Sequence, residues 1–145
     1  MKLRPALTFV ELLIVTSIIA ILAIGSFTSY FNAKERYALK LSSENFVNQL
    51  ERAHIYAREE KDNKSWGIKI KDDENYVLMS RDKTGETESY KYSLSYPVKF
   101  TTGSKIIWFD QGTGNLAGDI EIKLESLKGD TKTIKISQYG IISEL

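Results

Sequence analysis

Residues 11–34 read ELLIVTSIIAILAIGSFTSYFNAK, and Leu12 to Ala33 are 22 consecutive positions without a charge. An apolar run of this length crosses the hydrocarbon of a bilayer, which takes about 20 helical residues at 1.5 Å each. The 112 residues that follow, Lys34 to Leu145, carry the charges and turn residues of a globular region. The chain therefore predicts one small domain tied at its N-terminal end to a membrane. Two ordinary readings compete. A secretory signal peptide would use small residues such as Ala20, Ala23, Gly25 and Ser26 for cleavage, and a plain single-span anchor would carry no carboxylate within its helix. Glu11 stands against both. A charge at the edge of a span is costly, on the order of a few kcal/mol at the bilayer centre, and takes a partner, so Glu11 requires a cation.

Composition narrows what the remainder does. One span plus 112 residues allows a single small core, for which 42% hydrophobic and 11% aromatic residues suffice. The absence of cysteine excludes disulfide frameworks and thiolate metal sites. A formal charge of +1 gives no general attraction to nucleic acid or to an anionic surface.

Beyond Lys34 the helical pattern continues. Leu39, Phe46, Leu50, Ala53 and Ala57 fall at steps of seven, four, three and four, tracing one helix face, and no proline occurs between Pro5 and Pro97. A continuous helix from about Thr8 to about Glu60 would be ~80 Å long. Gly25, Ser26, Thr28 and Ser29 are its weakest formers, and any softening of the helix is expected there. After Asp62-Asn63-Lys64 the period changes to two. Trp66, Ile68 and Ile70, then Tyr76 to Met79, then Tyr90 to Tyr96, Ile120 to Leu124 and Ile134 to Ile136 read as strands, separated by turns at Asp72-Asp73-Glu74-Asn75, Lys83-Thr84-Gly85, Gly112-Thr113-Gly114-Asn115 and Lys128-Gly129-Asp130. Six or seven antiparallel strands result. Their apolar side needs a cover, and the stripe Leu39 to Ala57 supplies it, giving an α+β class.

The start, Met1-Lys2-Leu3-Arg4-Pro5-Ala6 followed by Leu7-Thr8-Phe9-Val10-Glu11, resembles the class III leader and helix start of type IV pilins and pseudopilins. The helix end Leu50 to Glu59, the Trp66-Gly67-Ile68 strand, the Trp108 to Gly114 turn and the terminal Ile134 to Ile142 are similar to minor pseudopilin H of type II secretion and the related T-type minor pilins. That resemblance implies a pilin fold, with a leader at 1–6, the transmembrane half of the helix at 7–33, its amphipathic half at 34–62 and an antiparallel β region at 63–145. It also implies cleavage between Ala6 and Leu7 by a prepilin peptidase, N-methylation of Leu7, and an assembly role for Glu11 with Thr8, the glutamate balancing the terminal ammonium of a neighbouring subunit. The family normally has glycine where Ala6 stands, and phenylalanine or methionine where Leu7 stands. Lys2 and Arg4 favour a cytoplasmic N-terminus. Loss of residues 1–6 removes two of 20 basic residues and none of 19 acidic ones, moving the charge from +1 to −1.

Other chemistry finds little in the residues. His54 is the single histidine and lies beside the apolar helix face, where packing outweighs an acid–base role; no nucleophile–base pairing is spaced for catalysis. Asp110, Gln111, Asn115 and Asp119 offer oxygens to a hard cation, yet turns favour Asp and Asn for local reasons. Lys69 and Lys71 share a strand face, with Lys123 and Lys135 as candidate neighbours, a stripe that could track phosphates. Glu121 and Glu125 interrupt it, and the chain ends Ile141-Ile142-Ser143-Glu144-Leu145 without the basic tail through which some T-type minor pilins take up DNA. The expectation is a non-enzymatic subunit without cofactor or metal, anchored in the cytoplasmic (inner) membrane with its globular part outside and later drawn into a filament. Its partners would be other pilins or pseudopilins, the peptidase, the inner-membrane assembly platform and lipid. The alternatives are a DNA-receptor minor pilin and a membrane-anchored β domain unrelated to filaments.

Overall fold

The structure, a computed structural model, describes residues 8–145. Ala6 and Leu7, with the cleavage and methylation expected there, lie outside the described residues. In chain order the elements are α1 (Phe9–Arg58), a 3₁₀ turn (Lys61–Asn63), β1 (Ser65–Ile70), β2 (Asn75–Asp82), β3 (Gly85–Ser93), β4 (Lys99–Phe100), β5 (Lys105–Phe109), β6 (Ile120–Glu125), β7 (Thr131–Ile136) and β8 (Ile142–Glu144). The chain divides into two compact units, the second being Glu35–Leu145, and α1 contributes residues to both.

In the first unit the apolar side chains are exposed, among them Leu12, Ile18, Ile21, Ile24 and Phe27. The helix is unbroken through Gly25 to Ser29, where softening was expected. The hydroxyls explain this. Ser26 donates to the Leu22 carbonyl at 2.9 Å, Thr28 to Gly25 at 3.0 Å and Ser29 to Gly25 at 3.2 Å. Thr16 and Ser17 do the same toward Leu12 and Leu13. A hydroxyl bonded to its own helix keeps no unsatisfied polar group for lipid to meet.

The second unit holds two four-stranded antiparallel sheets, ordered β3-β2-β1-β5 and β4-β6-β7-β8. Eight strands stand where six or seven were expected. β5 and β8 are not among the expected strands, the end of β5 falling in the Trp108 to Gly114 turn; β4 has only two residues, and the strand expected over 90–96 begins at Gly85 and ends at Ser93. The helical stripe is the cover it was expected to be. Leu39, Phe46, Leu50, Ala53 and Ala57 are buried in one cluster with Ile68, Leu78, Ile107 and Phe109 of the first sheet and with Ile122, Leu124, Ile134 and Ile136 of the second. At its centre Phe46 meets Tyr76 edge-on at 5.0 Å and Phe100 at 5.1 Å. Each fully buried Leu, Ile or Phe contributes about 1.5–3 kcal/mol over its exposed state.

Polar residues within the helix stripe are matched. Ser42 Oγ accepts the Ser95 N–H at 2.9 Å, and Ser43 Oγ donates to Glu144 Oε1 at 2.7 Å. Glu144 in turn takes the Lys132 ammonium at 2.6 Å, tying the last strand to the helix. β2 breaks the simple alternation: Val77 and Met79, on the side away from the core cluster, are buried as well. Gly67 pairs with Met79 on one side and Trp108 on the other; a Cβ there would run into the Ile107 carbonyl and the Trp108 ring, and Arg81 caps that ring at 4.6 Å.

Candidate functional site

The start of α1 is built from Thr8 and Glu11. Thr8 precedes the first helical residue and Glu11 is the third, the spacing at which an N-cap hydroxyl and an acidic side chain serve each other. Glu11 N–H donates to Thr8 Oγ1 at 3.3 Å, while Glu11 Oε2 accepts the Thr8 N–H at 2.9 Å and the Thr8 hydroxyl at 3.0 Å. Two of the orphan N–H groups of the helix start are thereby satisfied. Glu11, expected from the sequence to need a cation, has two local donors from Thr8. The signal was present as Thr-x-x-Glu ahead of an apolar run. Among the described residues Oε1 accepts no hydrogen bond.

His54 does not face solvent chemistry. Its ring lies 5.3 Å from that of Phe109, and a Cβ at Gly114 or at Gly140 would collide with it. Both glycines have positive φ, 70° and 75°, so the turn after β5 and the turn after β7 close onto the helix through His54. Burial first, then the nearby Arg58, holds its imidazole below the ordinary value of 6.5, with Glu51 opposing. Nε2 is buried with no hydrogen-bond partner. The residue is a packing element.

The residues weighed for a cation have separate tasks. Gln111 donates its amide to Asn63 Oδ1 at 2.6 Å, Asp119 Oδ1 accepts the Gln138 N–H at 2.7 Å, and the backbones of Asp110, Gly114 and Asn115 bond one another. Among the described residues no group of three His, Cys, Asp or Glu is placed to hold a metal.

Nor does the lysine stripe form. Lys69 belongs to the first sheet, while Lys123 and Lys135 belong to the second; Lys71 lies just past β1. Lys71 pairs with Glu88 at 2.8 Å and Lys123 with Glu121 at 3.7 Å.

Comparison with known proteins gives a fold. No family model matches the sequence, and no curated protein matches it. Among solved structures the chain is similar to the minor pseudopilin EpsH from the type 2 secretion system of Vibrio cholerae, with a TM-score of 0.60 at 11% identity over 74% of this chain and 95% of that one. A long N-terminal helix with antiparallel sheets packed against its second half is thus, in this chain, a pseudopilin fold.

Proposed function

We propose that the chain is a minor pilin or pseudopilin, a structural subunit held in the cytoplasmic membrane by residues 7–33 and drawn from there into a type IV pilus or a type II secretion pseudopilus. The observation that carries this reading is the start of α1. A carboxylate locked to Thr8, with one oxygen unbonded among the described residues, sits at the head of a helix whose apolar side chains are exposed. Exposed apolar surface on that scale calls for lipid or for like helices, and the spare oxygen suits an ammonium from a neighbour. The pseudopilin fold of the remainder supports the same role. So does the packing of His54, which leaves the molecule no poised acid–base group there.

In this reading a prepilin peptidase cuts between Ala6 and Leu7, the new N-terminus is methylated, and the partners are other pilins or pseudopilins, the inner-membrane assembly platform and lipid. The DNA-receptor alternative gains nothing from the structure, since Lys71 and Lys123 are already matched by carboxylates. Intact-mass measurement of the chain recovered from membranes tests the processing step. The expected mass is that of residues 7–145 plus one methyl group; a chain that keeps Met1 to Ala6, or one cut after Ala23, contradicts the assignment.

A further inference from the structure

We propose that the flank of α1 beside β3 is a docking surface for an extended acidic segment of a partner protein. Arg52 and Tyr56 lie one turn apart on this flank, joined by a 2.8 Å hydrogen bond from Arg52 Nε to the Tyr56 hydroxyl. The Arg52 guanidinium also stands 5.4 Å from the centre of the Tyr90 ring on β3. Lys61 sits 3.7 Å over the opposite part of the cluster, the Tyr56 ring, and Tyr92 stacks on the buried Tyr76 at 5.4 Å, fixing the inner edge. Gln49, three residues before Arg52 on the same flank, holds Oε1 buried without a hydrogen-bond partner.

Charge selects the guest. None of the ion pairs among the described residues uses Arg52 or Lys61, and the Arg52 guanidinium is placed against the Tyr56 hydroxyl and the Tyr56 and Tyr90 rings. A guanidinium held over tyrosine rings and facing no carboxylate is prepared for a bidentate acid, and Tyr with Arg is the composition in which binding energy concentrates at interfaces. Geometry selects its shape. β3 is the terminal strand of its sheet and its nine residues are almost all exposed, so its outer backbone groups are open to a strand laid alongside. Two unpaired cations are too few for nucleic acid, whose binding rests on many neutralised phosphates. The surface lies in the Glu35–Leu145 unit and does not depend on Thr8 or Glu11.

The test uses the full chain in detergent micelles and a display library of random peptides about eight residues long, a strand's length. Selected peptides should be enriched in Asp and Glu. The best of them, labelled for fluorescence anisotropy, should bind Arg52→Gln and Lys61→Gln roughly tenfold more weakly and bind Lys99→Gln, a charge loss on the other sheet, as it binds the wild type. Tyr90→Ala, an exposed edge substitution, should show the same loss and serves if Arg52→Gln melts early. Selection without acidic enrichment overturns the proposal, as does unchanged affinity in a folded Arg52→Gln. Tighter binding of an oligothymidine of similar charge overturns it in favour of nucleic acid.

Discussion

His54 shows how one residue can be fixed by what its neighbours lack. Two turns from different parts of the β region reach the helix at this ring because Gly114 and Gly140 have no side chain to place against it. The cost is a desolvated imidazole whose Nε2 has no partner. Since its folded value lies below 6.5, the unfolded chain takes up a proton first as pH falls. Stability should therefore drop as pH falls below about 6.5, and the loss should level off below the folded value. Unfolding of the full chain by urea in detergent, followed at about pH 7.5 and about pH 5.5, checks this: the wild type should lose more stability across the window than His54→Gln. Equal losses would show that another group titrates there. Asp82, held at about 2 by Thr84 and Lys64, and Glu144, lowered first by Lys132, act in more acidic solution. At this scale the sequence was partly legible. Its single histidine could be placed beside the apolar stripe, but the glycines that enclose it are 60 and 86 positions further along, and no local pattern links them.

At the scale of elements, α1 is where the sequence speaks most clearly. A 3.6-residue period with no intervening proline leaves little choice of structure, and the buried face Leu39, Phe46, Leu50, Ala53 and Ala57 is the face the spacing picks out. Leu50 is fully buried, so Leu50→Asp places an unpaired charge in the core at a cost of several kcal/mol. The β region of the full chain should then lose its cooperative thermal transition while the lipid-facing half stays helical by circular dichroism. An unchanged transition would mean that the helix packs by another face. The strands were harder to read for physical reasons. β2 lies between two neighbours and is covered on both sides, so Tyr76 to Met79 shows a continuous apolar run. β5 was hidden by the turn chemistry that follows Phe109, and β4 and β8 are too short to show any period. That the strands form two sheets follows from pairings between distant segments, such as β1 with β5, which alternation cannot reveal.

The molecule as a whole is a lipid-suited helix running into a small α+β unit with a pseudopilin fold, and the proposed function puts the work of assembly at the helix start. In low dielectric a carboxylate with an unused oxygen gains from an ammonium brought to it. The Thr8 hydrogen bonds fix where that oxygen points. Glu11→Ala removes the charge and lies outside the Glu35–Leu145 unit, so membrane insertion, cleavage and folding of that unit should be preserved. The measurement is co-purification of the chain with partner pilins or pseudopilins from membranes, normalised to the amount inserted, for wild type and Glu11→Ala side by side. The account predicts that incorporation of Glu11→Ala falls by roughly tenfold or more, the scale of a lost charge-assisted contact; equal incorporation of the two would contradict it.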